Sequence, residues 1–192
     1  MPNSIEDAEN DTHNIAFIDG QNLHFGTKET GWSIDHKRFR TYLLEKYHIT
    51  EAYYFLGFIS DNVGDLYDSL QKAGFILSFR EHSAALKGSK KGNVDTDIVF
   101  SVMKQLVENE PVKQIFIVSG DGDYIKLVDY LIGKKRFGKM LFPNRKFASS
   151  LYKKFGGEFF DYLEEPDVRA KIAYDQKQKL EKGGEGEIKK AP

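Results

Sequence analysis

Two short segments of the chain place carboxylates directly after apolar runs that have the composition of strands. Residues 15–18 lead into Asp19, and residues 115–118 lead into the turn Ser119–Asp123, which holds two aspartates. In an open parallel sheet, ligands bind at the carboxyl ends of the strands, where both segments would lie. Acids held this close repel each other unless a positive charge, usually a metal ion, lies between them. The spacing therefore predicts a metal site.

A third acidic pair, Asp95 and Asp97, opens a helical pattern that leads to the second of these strands. A helix that connects two parallel strands runs antiparallel to them, so its N-terminus lies at the carboxyl edge of the sheet. Asp95 is thus expected beside Asp19 and Asp121. Asp95 falls within the apolar stripe that faces the sheet, whereas Asp97 projects almost oppositely and is a first-turn acid favoured by the helix dipole. Asp95 is the better ligand candidate.

The ligands available in this chain suit a hard cation. There is no cysteine, and the five histidines show no paired metal spacing, so carboxylates are the predicted ligands. Mg²⁺ and Mn²⁺ accept such ligands and hydrolyse phosphodiesters by activating a water and stabilising charge on the phosphate. Asn22 is a candidate to orient a ligand or to contact the phosphate. Each acid also has a simpler explanation as a helix cap or turn residue, which does not account for two acids in one turn.

Strand-like and helix-like segments alternate from Asn14 to Glu165, and these elements must position the acids. The predicted strands are Ile15–Asp19, Ala52–Ile59, Phe75–Arg80, Ile115–Ser119, Lys139–Phe142 and Glu158–Tyr162. The predicted helices are Asp35–Tyr47, Val63–Ala73, Asp95–Glu108, Asp123–Ile132 and Phe147–Phe155. This alternation predicts an α/β fold with a mostly parallel sheet covered by helices on both faces.

Length and composition describe one globular domain with charged ends. With 192 residues, of which 40% are hydrophobic, the chain is long enough for one substantial core, predicted over residues 14–165. Residues 1–13 are predicted to form a flexible acidic tail. Residues 166–192 are predicted to form a charged helix, from Asp167 to Lys182, and a flexible end.

Charge and hydropathy exclude several classes of protein. The formal net charge of −1 argues against a protein that coats nucleic acid through bulk charge, although it leaves room for a local basic patch. No segment resembles a signal peptide or reaches the ~20 apolar residues of a membrane span, which predicts a cytoplasmic protein with no membrane partner. No Walker-type phosphate loop is present, which disfavours nucleotide hydrolysis. The oligomeric state is left open, a homo-oligomer included.

Three motifs together resemble the signatures of NYN domains, a group of PIN-like nucleases that includes the bacterial LabA-like proteins. They are residues 17–22 (FIDGQN), 91–95 (KGNVD) and 119–124 (SGDGDY). The resemblance covers roughly residues 14–165 and implies a three-layer α/β/α sandwich of the PIN-like, Rossmannoid kind. It also implies an acidic pocket that binds Mg²⁺ or Mn²⁺ and cleaves RNA endonucleolytically.

Carried over motif by motif, the resemblance implies a set of site residues. The implied metal ligands are Asp19, Asp95, Asp121 and Asp123, with Asn22 as a polar helper in catalysis. Apart from the resemblance, Asp97 and Ser119 are candidates to support the ligands. Many relatives carry another acid at the position of Ser101, so activity is less firmly implied than metal binding. Tyr124 replaces a frequent Phe, and this replacement is expected to be harmless.

Basic residues near the same edge of the sheet are candidates for RNA contact. The Gly-rich loop 87–92 carries Lys90 and Lys91 just before Asp95, and Arg145 follows the strand that ends near Phe142. Such side chains bind backbone phosphates, although surface lysines more often serve solubility alone. Lys90, Lys91 and Arg145 are the predicted RNA-binding residues.

Three functions fit these residues. The first is a metal-dependent endoribonuclease, and the second is a catalytically weak RNA-binding or scaffold protein that retains the fold, which Ser101 and the balanced net charge favour. The third is a phosphatase that forms an aspartyl-phosphate on Asp19. It ranks last, because such enzymes usually need a second Asp where this chain has Gln21. Metal-dependent RNA cleavage that is lost in an Asp121→Asn variant would separate the first two functions.

Overall fold

The computed structural model of the chain describes residues 13–57, 64–80, 94–108 and 112–174. Its strands are β1 (His13–Asp19), β2 (Ile49–Leu56), β3 (Ile76–Phe79), β4 (Val112–Val118), β5 (Phe137–Phe142) and β6 (Phe160–Tyr162). They form one six-stranded sheet in the order β3-β2-β1-β4-β5-β6. Every pair of neighbouring strands is parallel, so all six carboxyl ends lie at one edge.

Helices lie on both faces of this sheet. They are α1 (Gly20–Glu29), α2 (His36–Tyr47), α3 (Gly64–Ala73), α4 (Val94–Val107), α5 (Ile125–Gly133) and α6 (Pro166–Ile172). Among the described residues, no helix combines the length and the apolar composition that a bilayer crossing requires. The predicted α/β fold, with a parallel sheet between two helical layers, is confirmed.

The side chains of β1 divide the core into two clusters. Ala16 and Ile18 pack with residues of α1, α2, α3 and α6, whereas Ile15 and Phe17 pack with residues of α4 and α5. Successive side chains of a strand point to opposite faces, so a strand that is covered on both sides is apolar throughout. Asp19 has the same parity as Phe17, and its side chain therefore lies on the face covered by α4 and α5.

The predicted helices omit α1, which follows β1 without a loop. Glycines at 20 and 26 give this segment a low intrinsic preference for helix. Tertiary packing requires them, because a Cβ at Gly20 would lie 2.7 Å from the carbonyl oxygen of Phe55, and one at Gly26 would collide with Pro143. The Asp19 side chain caps the helix and offsets part of the cost of these glycines.

The helix predicted over Phe147–Phe155 is wrong. The chain forms turns there, followed by a 3₁₀ helix at Ser150–Lys154. The Asn144 side-chain oxygen accepts a hydrogen bond from the Phe147 N–H at 2.7 Å. The carbonyl oxygen of Gly120 accepts another from the Ser149 N–H at 3.0 Å. These bonds hold the segment against the Ser119–Asp123 turn instead of in a helix.

The helix predicted from Asp167 to Lys182 is also wrong in its extent, because α6 ends at Ile172. Ala173 leaves the helix to bridge with Ile34, and the Tyr174 N–H donates to the Ser33 carbonyl at 2.9 Å. Ile172 is fully buried against the core beside α2, so packing and these backbone bonds replace a further helical turn. Residues 175–182 lie outside the described residues.

The other predicted elements are present, most with shifted ends, and the predicted ends at Ile59 and Val63 lie outside the described residues. β2 begins at Ile49 and β4 at Val112, earlier than their apolar runs, because both continue to pair with β1. Of the predicted acidic tail, residues 1–12 lie outside the described residues, and His13 already belongs to β1. The division of the chain into a domain and two tails stays a prediction.

Candidate metal centre

The carboxyl ends of β1 and β4 lie side by side. Ile18 pairs with Val118 in the parallel ladder, so the next residues, Asp19 and Ser119, are neighbours at the same edge of the sheet. The Ser119 Oγ lies 3.5 Å from Asp19 Oδ2. Because α4 begins at this edge, its first turn brings Asp95 to the same place.

Asp19 is 6% exposed and caps α1. Its Oδ1 accepts a hydrogen bond from the Asn22 N–H at 2.9 Å. Burial raises the pKa of the Asp19 carboxyl from 3.8 to about 6, the charges of Asp95 and Asp121 act in the same direction, and the bond from Asn22 opposes them. The raised pKa of Asp19 therefore reflects its burial first, and the crowding of negative charge by Asp95 and Asp121 adds a smaller part.

Hydrogen bonds within the turn after β4 fix the shape of the turn. The Ser119 Oγ accepts a bond from the Asp121 N–H at 3.1 Å. The Asp121 Oδ1 in turn accepts one from the Asp123 N–H at 3.0 Å and caps the 3₁₀ helix Gly122–Tyr124. Asp19 and Asp121 are therefore both helix caps, and capping accounts for one hydrogen bond of each. Asp123 caps no helix in the described parts of the chain, so capping does not explain its presence.

Asn22 connects α1 to this turn. Its side-chain oxygen accepts a hydrogen bond from the Gly120 N–H at 2.8 Å. On its other side, Gly120 is so close to the backbone of Phe147 that a Cβ would lie 2.6 Å from the Phe147 carbonyl carbon. The turn thus contacts α1 on one side and the segment after β5 on the other. These two contacts fix the positions of its two aspartates.

Three carboxylates converge at this edge. Asp95, Asp121 and Asp123 each offer an oxygen, and these oxygens lie within 4.8 Å of one another. Asp121 is partly buried and Asp123 is exposed, so the group opens to solvent. A donor set made only of oxygens fits a hard divalent cation such as Mg²⁺ or Mn²⁺. We call these three residues, together with the buried Asp19 behind them, the acidic centre.

Two tyrosines reach the acidic centre with their hydroxyl groups. The Tyr124 hydroxyl donates to Asp95 Oδ1 at 2.5 Å, and the Tyr152 hydroxyl donates to the main-chain oxygen of Asp121. Burial raises the pKa of both hydroxyls far above the ordinary range, so both remain protonated. Neither tyrosine was among the predicted site residues. A tyrosine directly after the acidic turn was the available signal, since its hydroxyl had to find a partner in the core.

Residues 14–163 match the family model described as the NYN domain. The chain belongs to the NYN domain family. This membership confirms the resemblance inferred from the three motifs, and it places the acidic centre in a fold of the PIN-like nuclease superfamily.

Two known proteins are similar to this NYN domain, one in sequence and one in structure. The chain is 26% identical over 129 residues to the low amplitude and bright protein LabA of Synechococcus elongatus, a match that covers 62% of this chain and 67% of LabA. Its structure is similar to the crystal structure of a protein of unknown function from Vibrio parahaemolyticus. That likeness has a TM-score of 0.68 at 18% identity and covers 86% of this chain and 98% of the other, and it shows a shared fold.

The remaining candidates near the ligands occupy different positions in this NYN domain. Ser119 contacts Asp19 and holds the turn, as described above. Asp97 lies on α4 and is not part of the three-carboxylate group, in agreement with the choice of Asp95 by helical periodicity. Ser101 lies further along α4 and is partly buried. The roles of these residues stay predictions.

Of the predicted RNA contacts, Lys90 and Lys91 lie outside the described residues. Arg145 is described, and its guanidinium carbon lies 4.1 Å from the centroid of the Tyr162 ring. The same guanidinium forms an ion pair with Glu165. An RNA phosphate would have to compete with this glutamate for Arg145, and RNA binding by Arg145 stays a prediction.

Proposed function

We propose that this NYN domain is a metal-dependent endoribonuclease that hydrolyses RNA phosphodiester bonds at the acidic centre. The observation that carries the proposal is the convergence of the carboxylate oxygens of Asp95, Asp121 and Asp123 within 4.8 Å in a fold of the PIN-like superfamily. The three residues come from two elements far apart in sequence. Caps and turns need no such convergence, whereas a cation site requires it.

The acidic centre has the chemistry to hold Mg²⁺ or Mn²⁺. A divalent ion bound there would act as a Lewis acid on a phosphodiester oxygen and would lower the pKa of a bound water. Asp121 and Asp123 are fixed by their shared turn, and Asp95 is presented by the first turn of α4. Asp19 is the proposed fourth carboxylate. Among the described residues, its Oδ2 has only weak contacts, at 3.5 Å, with two hydroxyls, and a cation would readily replace them.

Asn22 and Ser119 are proposed to act on the ligands rather than on RNA. The side chain of Asn22 is already bonded to Gly120, and that of Ser119 to the Asp121 N–H. Losing such a supporting contact would let the turn move and displace two ligands at once. Misplacement by about 1 Å is enough to cost a large part of the rate in a preorganised site.

The test is cleavage of end-labelled single-stranded and hairpin RNAs by the full chain with Mn²⁺, with Mg²⁺ and with a chelator. Asp121→Asn is expected to lower the cleavage rate by at least about 100-fold, because it removes a ligand charge. The control is Asp129→Asn. Asp129 lies on α5 and pairs with Lys154 at 3.4 Å, and its removal is expected to leave the rate unchanged. RNA that stays intact with every metal, or that wild type and Asp121→Asn cleave equally, would refute catalysis.

A second candidate function is RNA binding or scaffolding without cleavage. One observation favours it: Ser101 stands on α4 where many relatives carry an acid. Under this alternative, wild type and Asp121→Asn would retain labelled RNA with equal affinity, and neither would cleave it. The same variants therefore decide between the two functions.

A further inference from the structure

The hydroxyl of Tyr124 lies between two carboxylates of the acidic centre. It is 2.5 Å from Asp95 Oδ1 and 3.5 Å from Asp19 Oδ2, and the Tyr124 side chain is fully buried. A phenol has one proton to donate, and the shorter distance assigns that proton to Asp95. The hydrogen bond is of the strong, charge-assisted kind, because its acceptor is a carboxylate.

Tyr124 also belongs to the element that carries the other ligands. It ends the 3₁₀ helix that begins at Gly122, directly after Asp123. Its ring packs in the same buried cluster as Ile98 of α4. The bond from Tyr124 to Asp95 therefore links the turn that supplies two carboxylates to the helix that supplies the third. It restrains both the orientation of Asp95 and the separation of the two elements.

An aspartate that accepts this bond is restricted in how it can bind a cation. With Oδ1 engaged by Tyr124, Asp95 cannot swing freely to present both oxygens to one ion. Ca²⁺ is large, takes six to eight oxygen ligands and often binds carboxylates through both oxygens. Mg²⁺ requires a compact octahedral arrangement, and Mn²⁺ shares its preference for oxygen ligands. The restriction on Asp95 thus disfavours Ca²⁺ more than the smaller ions.

We propose that Tyr124 is a positioning residue that holds Asp95 for binding through a single oxygen, and that it thereby makes the acidic centre select Mg²⁺ or Mn²⁺ over Ca²⁺. This rests on the proposed function to the extent that the acidic centre must bind a divalent cation. It does not depend on RNA cleavage. From the sequence, Tyr124 in place of a frequent Phe was expected to be harmless. Under this proposal, Phe at position 124 would instead change the cation selectivity of the acidic centre.

Tyr152 provides a matched control. It is 2% exposed, and its hydroxyl reaches the same acidic centre as that of Tyr124. Its acceptor, however, is the main-chain oxygen of Asp121 and not a ligand carboxylate. Tyr152→Phe therefore removes the same atom from the same neighbourhood without freeing any of the three carboxylates.

The experiment measures cation affinities of the full chain without RNA, using Mn²⁺ detected by electron paramagnetic resonance and Ca²⁺ by displacement of Mn²⁺. Tyr124→Phe is expected to raise the affinity for Ca²⁺ relative to Mn²⁺ by about tenfold, at the lower end of what partners of metal ligands contribute. Tyr152→Phe is expected to change this ratio by less than about twofold, since its acceptor is a main-chain oxygen of the turn and any movement of the turn should affect both cations alike. A purely structural hydroxyl would alter both affinities alike.

Each outcome decides a different proposal. If wild type binds Mn²⁺ but Tyr124→Phe leaves the Ca²⁺/Mn²⁺ ratio unchanged, the role of Tyr124 is refuted and the nuclease proposal stands. If wild type binds no divalent ion, both are refuted. Should Tyr124→Phe fail to fold, wild-type crystals with Ca²⁺ give the answer. Asp95 bound through one oxygen with its Tyr124 bond intact supports the proposal, and Asp95 bound through both oxygens overturns it.

Discussion

Asp161 of β6 and Asp121 of the turn after β4 are both partly buried acids, yet their surroundings differ. Asp161 lies between two cations, with Lys46 Nζ at 3.7 Å and Lys139 Nζ at 3.3 Å. It also accepts a hydrogen bond from the Tyr47 hydroxyl at 2.8 Å. We call these four residues the Asp161 network. Its single negative charge is fully compensated within the protein.

The acidic centre differs in its balance of charge, because several negative charges lie together there. Three of its acids converge within 4.8 Å, with Asp19 buried behind them. In the described parts of the chain, no Lys, Arg or His forms an ion pair with Asp19, Asp121 or Asp123. Like charges that are held together by backbone geometry cost stability. A compensated acid is typical of structure, whereas acids that lie close together with no such pair, as Asp19, Asp121 and Asp123 do in the described parts of the chain, are typical of a functional site.

Replacing one acid in each cluster by Asn gives the largest expected contrast. Asp95→Asn should lower the rate of RNA cleavage by on the order of 1,000-fold, because it removes the charge of a ligand and leaves the Tyr124 hydroxyl a neutral amide in place of a carboxylate acceptor. Asp161→Asn should change the rate by less than about twofold, since the Asp161 network touches none of the ligands. Single-turnover cleavage with Mn²⁺, at a temperature where both variants are folded, measures the two rates. Equal losses of cleavage rate in the two variants would show that the acidic centre and the Asp161 network do not differ in their role in cleavage.

The second contrast concerns pH. The pKa of Asp19 is about 6 in the folded chain, against 3.8 for the ordinary carboxyl, so the native state binds the extra proton between these pH values. The stability contributed by Asp19 is therefore fully present below pH 3.8 and is lost as the pH rises through 6. The loss amounts to on the order of 3 kcal/mol for the metal-free protein.

Asp19→Asn should remove this slope while still capping α1, because Asn is also a good N-cap residue. Urea unfolding in a chelator between pH 4 and pH 7 measures the slope for wild type and the variant, and Asp161→Asn, with the acidic centre intact, serves as the control. If wild type and Asp19→Asn lost stability with the same slope, the burial and charge crowding assigned to Asp19 would be incorrect.

The convergence of the acidic motifs could be predicted from the sequence, because it follows from the directions of the strands and of the connecting helix. Parallel strands end at one edge, and a helix between them begins there, so Asp19 and Asp121 could be placed beside Asp95. Helical periodicity also favoured Asp95 over Asp97, and Asp95 is the one of the two that lies in the three-carboxylate group. These inferences use only backbone geometry, which local sequence patterns encode well.

The parts that were missed depend on contacts between distant segments. The helix α1 contains glycines that disfavour a helix locally and are required by packing against Phe55 and Pro143. The segment after Asn144 has a helical pattern, but hydrogen bonds to Asn144 and Gly120 hold it in turns. The bond between Tyr124 and Asp95 depends on the distance between two elements, which no local pattern contains.

Adding a cation should change the two clusters differently. Mn²⁺ at about 100 times its dissociation constant should stabilise wild type by about 2.7 kcal/mol, because it binds only the folded acidic centre. Asp161→Asn should gain the same amount, whereas Asp121→Asn should gain far less at that concentration. Thermal or urea unfolding with and without Mn²⁺ measures these gains. An equal gain in all three proteins would place the cation outside the acidic centre.

The smallest expected effect is on the stability of the metal-free protein, where the two clusters should respond in opposite directions. Asp161→Asn should destabilise by about 1–2 kcal/mol, a modest figure because its lysine partners are partly exposed and screened. Asp121→Asn should be neutral or stabilising by up to about 1 kcal/mol, since Asn can still accept the bond from the Asp123 N–H while one repelling charge is removed.

Urea unfolding in a chelator at low and high salt distinguishes the two variants. Salt should weaken the effect of Asp161→Asn by screening attraction, and it should reduce the benefit of Asp121→Asn by screening repulsion. If Asp121→Asn were the more destabilising of the two without metal, the charge of Asp121 would stabilise the folded protein, and the contrast with the Asp161 network would fail.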